Sequence, residues 1–182
     1  MQEFSKRLND LRTSHQWSMQ ALADLANVSK SMICKIESGD VQPTLDVASR
    51  LANAFGISLS EMLQPTIKQS ILLIKKADQT VWQDPVSHMQ RFILSPTYSG
   101  CKVEWIRVIL PAKTSSGLLT GNKIQFKKKY FYLLDGELEV SCENAIYHLE
   151  KNDSFYFEAK DIHEVRNPGE TPAEYFVVSE LQ

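Results

Sequence analysis

The sequence predicts a two-domain chain, an all-α domain followed by an all-β one. Three observations carry this. The period of apolar residues changes from that of a helix to that of a strand near Lys68. Short segments rich in β-branched and aromatic residues appear only after that point, with turn signals between them. A chain of 182 residues is long for one small domain and of ordinary length for a pair. The boundaries read as residues 1–64 and 69–182, joined by a short linker at 65–68.

Phe4, Leu8 and Leu11 recur at helical spacing and predict the first helix. Ser18 can cap a second, with Leu22, Leu25 and Ala26 on one face. Ser29 can cap a third, which turns Ile33 and Ile36 inward and leaves through Gly39. Pro43-Thr44 opens a fourth, with Leu45, Ala48, Leu51, Ala52 and Phe55 as its apolar residues and Gly56 at its end. Ser58 and Glu61 form a capping box for a short fifth helix, which Pro65 stops.

In the second half the predicted strands are QSILLIKK, QRFILS, CKVEWIRVIL, KYFYLLD, ELEVSC, AIYHL, SFYFE and AEYFVVS. Asp84-Pro85, Ser95-Pro96, Asp135-Gly136, Asn152-Asp153 and Asn167-Pro168-Gly169 supply turns between them. Many short strands at regular spacing mean a sandwich or barrel. QSILLIKK, residues 69–76, follows the linker and is apolar enough to seek pairing. It is the candidate for an edge strand exchanged between subunits.

Composition excludes several classes. No apolar run approaches the roughly 18 residues of a membrane span. The opening MQEFSKRLNDLR is charged and has no signal-peptide core, so a cytoplasmic location is expected. Cys34, Cys101 and Cys142 are odd in number and far apart, which supports neither a disulfide framework nor a zinc knuckle. The net charge of −2 announces no global field for nucleic acid or membrane.

The tight turn Ala26-Asn27-Val28-Ser29 between the second and third helices is what a helix-turn-helix needs. The stretch SMQALADLANVSKSMICKIESGDVQPTL resembles the core of the XRE family, the Cro/phage-repressor type. Leu22-Ala23, Val28-Ser29, Ile33, Ile36-Glu37, Gly39 and Pro43-Thr44 fall at that family's spacing, and the likeness covers residues 3–64. It implies that Ser29–Ser38 is the recognition helix, with its first residues at base edges. Lys30, Ser31 and Lys35 are then the base-reading candidates: a lysine suits guanine O6 and N7, and a serine serves either base type. Met32 is placed either to touch a thymine methyl or to pack against the second helix. Gln20, Ser29 and Thr44 are placed to hold phosphates. Arg12 and Glu37 match positions that form a buried ion pair in the family. Met19 stands where the family often has a glutamine that contacts phosphate.

Residues 1–64 hold Lys6, Arg7, Arg12, Lys30, Lys35 and Arg50 against Glu3, Asp10, Asp24, Glu37, Asp40, Asp46 and Glu61. So balanced a domain makes few phosphate contacts and binds DNA weakly alone. A homodimer reading two half-sites about one helical turn apart would repair this. Cys34 on the recognition helix is either a redox-sensitive thiol or a small space-filling residue.

YFYLLDGELEVSCENAIYHLEKNDSFYFEAKDIHEVRNPGETPAEYFVV resembles a small cupin, the double-stranded β-helix of jelly-roll type. Its hairpin LLDGELEV, the turn at Asn152-Asp153, His163 and Asn167 follow the cupin order, although Glu158 and Lys160 stand where proline and glycine are usual. Metal-binding cupins carry two histidines one residue apart, a glutamate shortly after and a later histidine. Counted back from Gly136, the first three positions are Lys123, Gln125 and Lys129; only His163 keeps its type. A protonated lysine cannot ligate a metal, so no metal, cofactor or catalytic residue is expected.

Lys123 and Lys129 near His163 would instead meet an anion, because a buried lysine without a partner is costly. Gln125 would add an amide, and Phe131 or Tyr156 an apolar wall. Arg107 is a further anion partner if its strand turns it inward, which its parity leaves open. Lys127 and Lys128 read as a solvated loop, and His15, His88 and His148 as surface or packing residues.

The implied function is a regulator, by family habit a repressor. It would bind a palindromic operator as a dimer and sense a small carboxylate or amino acid in the barrel. A metal-dependent cupin enzyme and an antitoxin-like partner module remain alternatives.

Overall fold

The computed structural model describes residues 2–63, 71–97, 101–119, 126–158 and 162–181. The first part holds helices α1 (Gln2–Ser14), α2 (Met19–Ala26), α3 (Lys30–Glu37), α4 (Leu45–Ala54) and α5 (Leu59–Leu63). Side-chain caps set the starts of α2, α3 and α5. Ser18 accepts from the Ala21 N–H at 3.0 Å, Ser29 from Met32 at 3.2 Å and Ser58 from Glu61 at 3.0 Å. Each cap is worth about 1 kcal/mol. Leu8, Leu22, Ile33, Ile36, Leu45 and Leu51 pack together without exposure. Leu25 departs from its expected place: Leu22, Ala23 and Ala26 form the buried face of α2, and Leu25 is 57% exposed. It lies about 100° round the helix from the centre of that face. Phe55 is half-buried and stacks on Trp17.

Arg12 and Glu37 tie α1 to α3. Arg12 Nε and Nη2 donate to the two Glu37 oxygens at 2.6 and 2.8 Å, and Asn9 adds a third hydrogen bond at 2.8 Å. The fork raises the Arg12 pKa, mainly through its hydrogen bonds to Glu37.

Nine strands are described in the second part: β1 (Val81–Gln83), β2 (Gln90–Ile93), β3 (Val103–Leu110), β4 (Phe126–Asp135), β5 (Leu138–Cys142), β6 (Ala145–Leu149), β7 (Ser154–Phe157), β8 (Glu164–Arg166) and β9 (Ala173–Leu181). They form a six-stranded sheet, β1-β2-β3-β9-β4-β7, and a three-stranded sheet, β6-β5-β8. The paired strands are antiparallel throughout these sheets. Their inner faces meet in a core of Leu110, Leu133, Leu138, Val140, Val165 and Ala173.

Three expectations are corrected. Residues 71–75 belong to no strand, and 76–78 form a 3-10 turn, so the segment predicted as an edge strand is unpaired where it is described. Residues 127 and 128 lie in β4 and not in a loop. The short strands β1 and β8, three residues each, were not expected. The linker at 65–68 lies outside the described residues.

Gly136 turns the β4–β5 hairpin at φ +85°, where a Cβ would come 2.8 Å from the Ala173 Cα. Only glycine fits there. Buried Asn167 holds the barrel rim by donating to the carbonyls of Leu110, Pro111 and Thr171, while its own oxygen accepts from the Gly169 N–H.

The two parts are joined by polar contacts as well as packing. Asp84, marked in the sequence only as a turn residue, accepts from the N–H groups of Val86 and Ser87 and also from that of Leu45 in α4, at 2.7 Å. The Gln42 amide donates to the Gln83 carbonyl at 2.9 Å, and the Ser60 N–H to Glu104 at 3.3 Å.

Candidate functional site

Two surfaces carry the candidate residues. On the first, α2 and α3 form the helix-turn-helix. The turn between them closes at Asn27, φ +51°, a left-handed conformation that asparagine tolerates. Helix α3 buries Ile33 and Ile36 against the helical core, so its other side is forced outward. That side presents Lys30, Ser31 and Lys35, all exposed. Ser29 caps the helix and contacts the Ser31 hydroxyl at 3.0 Å. Met32 is half-buried and packs against the core, which favours its packing role. Gln20 is exposed and donates to Asp24 at 2.8 Å. Thr44 caps α4 and is half-buried. Cys34 is exposed, and Cys101 and Cys142 are likewise free thiols.

The second surface is a cavity of about 70 Å³ at the mouth of the barrel. Its floor is apolar, with Ile106, Val108, Phe131, Val165 and Val177. Lys129 of β4 and His163, just before β8, meet there with Nζ 2.8 Å from Nε2. His163 is 3% exposed and stands edge-on to the Phe157 ring. Lys129 is half-buried as a residue, but its ammonium end lies in the cavity. That burial, and then the nearby Arg91, push its pKa down to about 8, with Glu104 opposing. Burial likewise pushes the Tyr175 hydroxyl well up.

The cavity includes residues that sequence reasoning missed. Arg91 of β2 and Glu104 of β3 both line it, 3.7 Å apart. Its roof comes from the helical part, with Asp46, Ser49 and Asn53 of α4. The only sequence signal for these was the polar stripe of α4 opposite its apolar face.

Arg107 and Tyr156 are corrected. The burial pattern of β3 turns Glu104, Ile106, Val108 and Leu110 inward, so Arg107 points out. There it pairs with Glu174 at 3.1 Å and lies over the Phe92 ring. Tyr156 is 48% exposed on the outer face of β7, against Tyr130; Phe131 and Phe157 form the inner aromatic wall. Lys123 and Gln125 lie outside the described residues.

A divalent metal does not fit the described donors. They hold no group of three or more His, Cys, Asp or Glu side chains near one another, and the His163 Nε2 already faces an amine.

Comparison with known proteins places both parts. The helix-turn-helix family HTH_3 matches residues 8–62, and the cupin family Cupin_2 matches residues 125–179. The transcriptional regulator AnsR of Bacillus subtilis is 39% identical over 57 residues, which are 31% of this chain and 49% of AnsR. The chain thus spans about half the length of that relative. The transcriptional regulator PuuR of Escherichia coli is 24% identical over 153 residues, 82% of this chain and 80% of PuuR. An HTH_3 family transcriptional regulator from Vibrio cholerae shares the fold over 98% of this chain and 95% of its own, with a TM-score of 0.78 at 19% identity. Hydroxypropylphosphonic acid epoxidase from S. wedmorenis covers 98% of this chain and 97% of its own, with a TM-score of 0.50 at 17% identity. No helix among the described residues is long and apolar enough to cross a membrane.

Proposed function

Because the chain belongs to the XRE-type helix-turn-helix proteins that carry a cupin domain, we propose that it is a DNA-binding regulator whose barrel cavity senses a small metabolite. It binds a palindromic operator as a homodimer, with α3 in the major groove. Lys30, Ser31 and Lys35 read base edges; Ser29, Gln20 and Thr44 hold phosphates.

The observation that carries this reading is the exposed polar side of α3, capped by Ser29 and tied to α1 by the half-buried Arg12–Glu37 fork. Nothing in the helical core requires lysines there, and both are in water. An outward stripe of Trp105, Tyr130, Tyr132 and Tyr156 on the six-stranded sheet supports pairing of two copies through the barrel. The cavity supports sensing, since its cationic end suits a carboxylate. The protein represses by occluding a promoter, as is this family's habit.

DNA fragments selected by the full-length protein test this reading. Inverted repeats with half-sites about one helical turn apart are expected. Loss of affinity in Lys30→Ala and Lys35→Ala supports the docking, and unchanged affinity in both overturns it. A thermal-shift screen against small carboxylates, amino acids, polyamines and divalent metals tests sensing, because a bound ligand raises stability by mass action. A response to metals alone would favour the competing enzyme reading, to which the fold shared with the epoxidase belongs.

A further inference from the structure

The sensor reading leaves the ligand's chemistry open, and one side chain in the cavity narrows it. The Arg91 side chain is 13% exposed, and among the described residues it makes no hydrogen bond. Glu104 stands 3.7 Å from its Nη2, near enough to interact but too far for a hydrogen bond. The other Glu104 oxygen accepts from the Ser60 N–H at 3.3 Å. A guanidinium carries five N–H donors in a planar fork, and burying them unmet is costly. A carboxylate meets such a fork edge-on, through two parallel hydrogen bonds.

Three hydroxyls share the cavity with Arg91. Strand register puts Arg91, Val108 and Tyr175 side by side on the inner faces of β2, β3 and β9. Ser179 follows on the same face of β9, and Ser49 comes from the α4 roof. Tyr175 and Ser179 are each 2% exposed, and Ser49 is half-buried. Among the described residues none of these three hydroxyls has a hydrogen-bond partner, although buried hydroxyls are ordinarily paired. Burial pushes the Tyr175 pKa up and so keeps its hydroxyl a donor. Ile106, Phe131 and Val177 lie beside them as an apolar floor. The space takes about five waters, so it suits a molecule of about that many heavy atoms.

Resting on the sensor reading of the barrel, we propose that the ligand is a small 2-hydroxy acid. Its carboxylate lies on the Arg91 fork, its hydroxyl among Tyr175, Ser179 and Ser49, and its short carbon chain on the apolar floor. Phosphate also suits a guanidinium fork, but it would bring a second negative charge beside Glu104 and nothing for the floor. Lys129 is close enough to Arg91 for the two charges to interact, and it attracts the carboxylate through space without lending a donor. Ser49 sits on α4, so the helix capped by Thr44 touches the ligand directly.

Isothermal titration of the full-length protein with glycolate and lactate tests this, with propionate, lactamide and inorganic phosphate alongside. Propionate lacks the hydroxyl, and lactamide lacks the charge. Glycolate or lactate should bind about tenfold more tightly than any of the three. Arg91→Lys keeps the charge but loses the fork, and should weaken that binding about tenfold. Glu104→Gln removes a like charge beside the carboxylate and should tighten it about threefold. Ser49→Ala should weaken it about threefold, and its half-buried position keeps the test decisive if Arg91→Lys folds poorly. Propionate or phosphate binding as tightly as lactate would overturn the hydroxy acid while leaving an anion sensor in place. Lactamide binding as tightly would overturn the carboxylate. Unchanged affinity in Arg91→Lys, or weaker binding in Glu104→Gln, would overturn the Arg91 site, and unchanged affinity in Ser49→Ala the contact with α4. No binding by glycolate or lactate would overturn the proposal, and a hit elsewhere in the wider screen would still support sensing.

Discussion

Lys30 and Lys35 on α3 stand in water, whereas Lys129 holds its ammonium in a cavity against a buried histidine. The residue type is the same and the physics is opposite. An exposed lysine keeps its full charge, contributes little to the fold and is available to a large anionic partner. A buried one costs stability and is kept only where something small repays it. Arg12 is a third case, a half-buried cation whose partner Glu37 is built into the fold. On the proposed function, charge in this protein is divided between DNA surface, ligand cavity and scaffold, and removing each cation has a different readout.

The largest effect is expected from the scaffold. Arg12→Ala leaves Glu37, 4% exposed at its side chain, without its fork and should cost about 3–5 kcal/mol in a denaturant titration. A loss below about 1 kcal/mol would place the pair with ordinary surface bridges. Next come the DNA-reading lysines. Lys30→Ala and Lys35→Ala should each weaken operator binding by about 1–3 kcal/mol with thermal stability unchanged. Equal losses on unrelated DNA would recast them as phosphate contacts.

A smaller effect belongs to Lys129 and depends on pH. Its pKa falls from the ordinary lysine value to about 8 in the folded protein. Between about pH 8 and the ordinary lysine pKa, the unfolded chain holds a proton that the folded chain has lost. Stability contributed by this site therefore rises with pH across that window. Below it, the buried charge penalises the fold in full. Lys129→Met should be more stable than the parent at pH 7, with the gap closing as pH rises. Arg91, Glu104, His163 and Tyr175 surround the group, so the same profile in Glu104→Gln gives the control. Carboxylate affinity should fall above pH 8, where Lys129 is neutral. A stability gap independent of pH would mean that the ammonium is solvated. The smallest effect is expected for Ser29→Ala, about 1 kcal/mol from the lost cap.

The helical part was largely legible because the second to fifth helices carry their own start signals, and the caps at Ser18, Ser29 and Ser58 fall where the sequence puts them. The barrel's long strands were legible for a similar local reason. The cavity was only partly so. Lys129 and His163 followed from the cupin resemblance, and Phe131 from the same register. Arg91 and Glu104 did not, because β2 and β3 carry apolar residues on both faces and alternation gives no parity there. The same ambiguity left the side of Arg107 open, and the structure turns it outward. The roof on α4 and the Asp84 cap on Leu45 depend on how two parts of the chain pack, for which no local pattern exists. Residues 71–75 were apolar enough to read as a strand, but strand formation needs a neighbour as well as composition.

The most direct test of a regulator with a sensing barrel is the affinity of the full-length protein for its selected DNA, measured by fluorescence anisotropy with and without the ligand found by titration. Coupling through α4 predicts a change of at least about fivefold, abolished in Lys129→Ala. An unchanged affinity at saturating ligand would contradict the account.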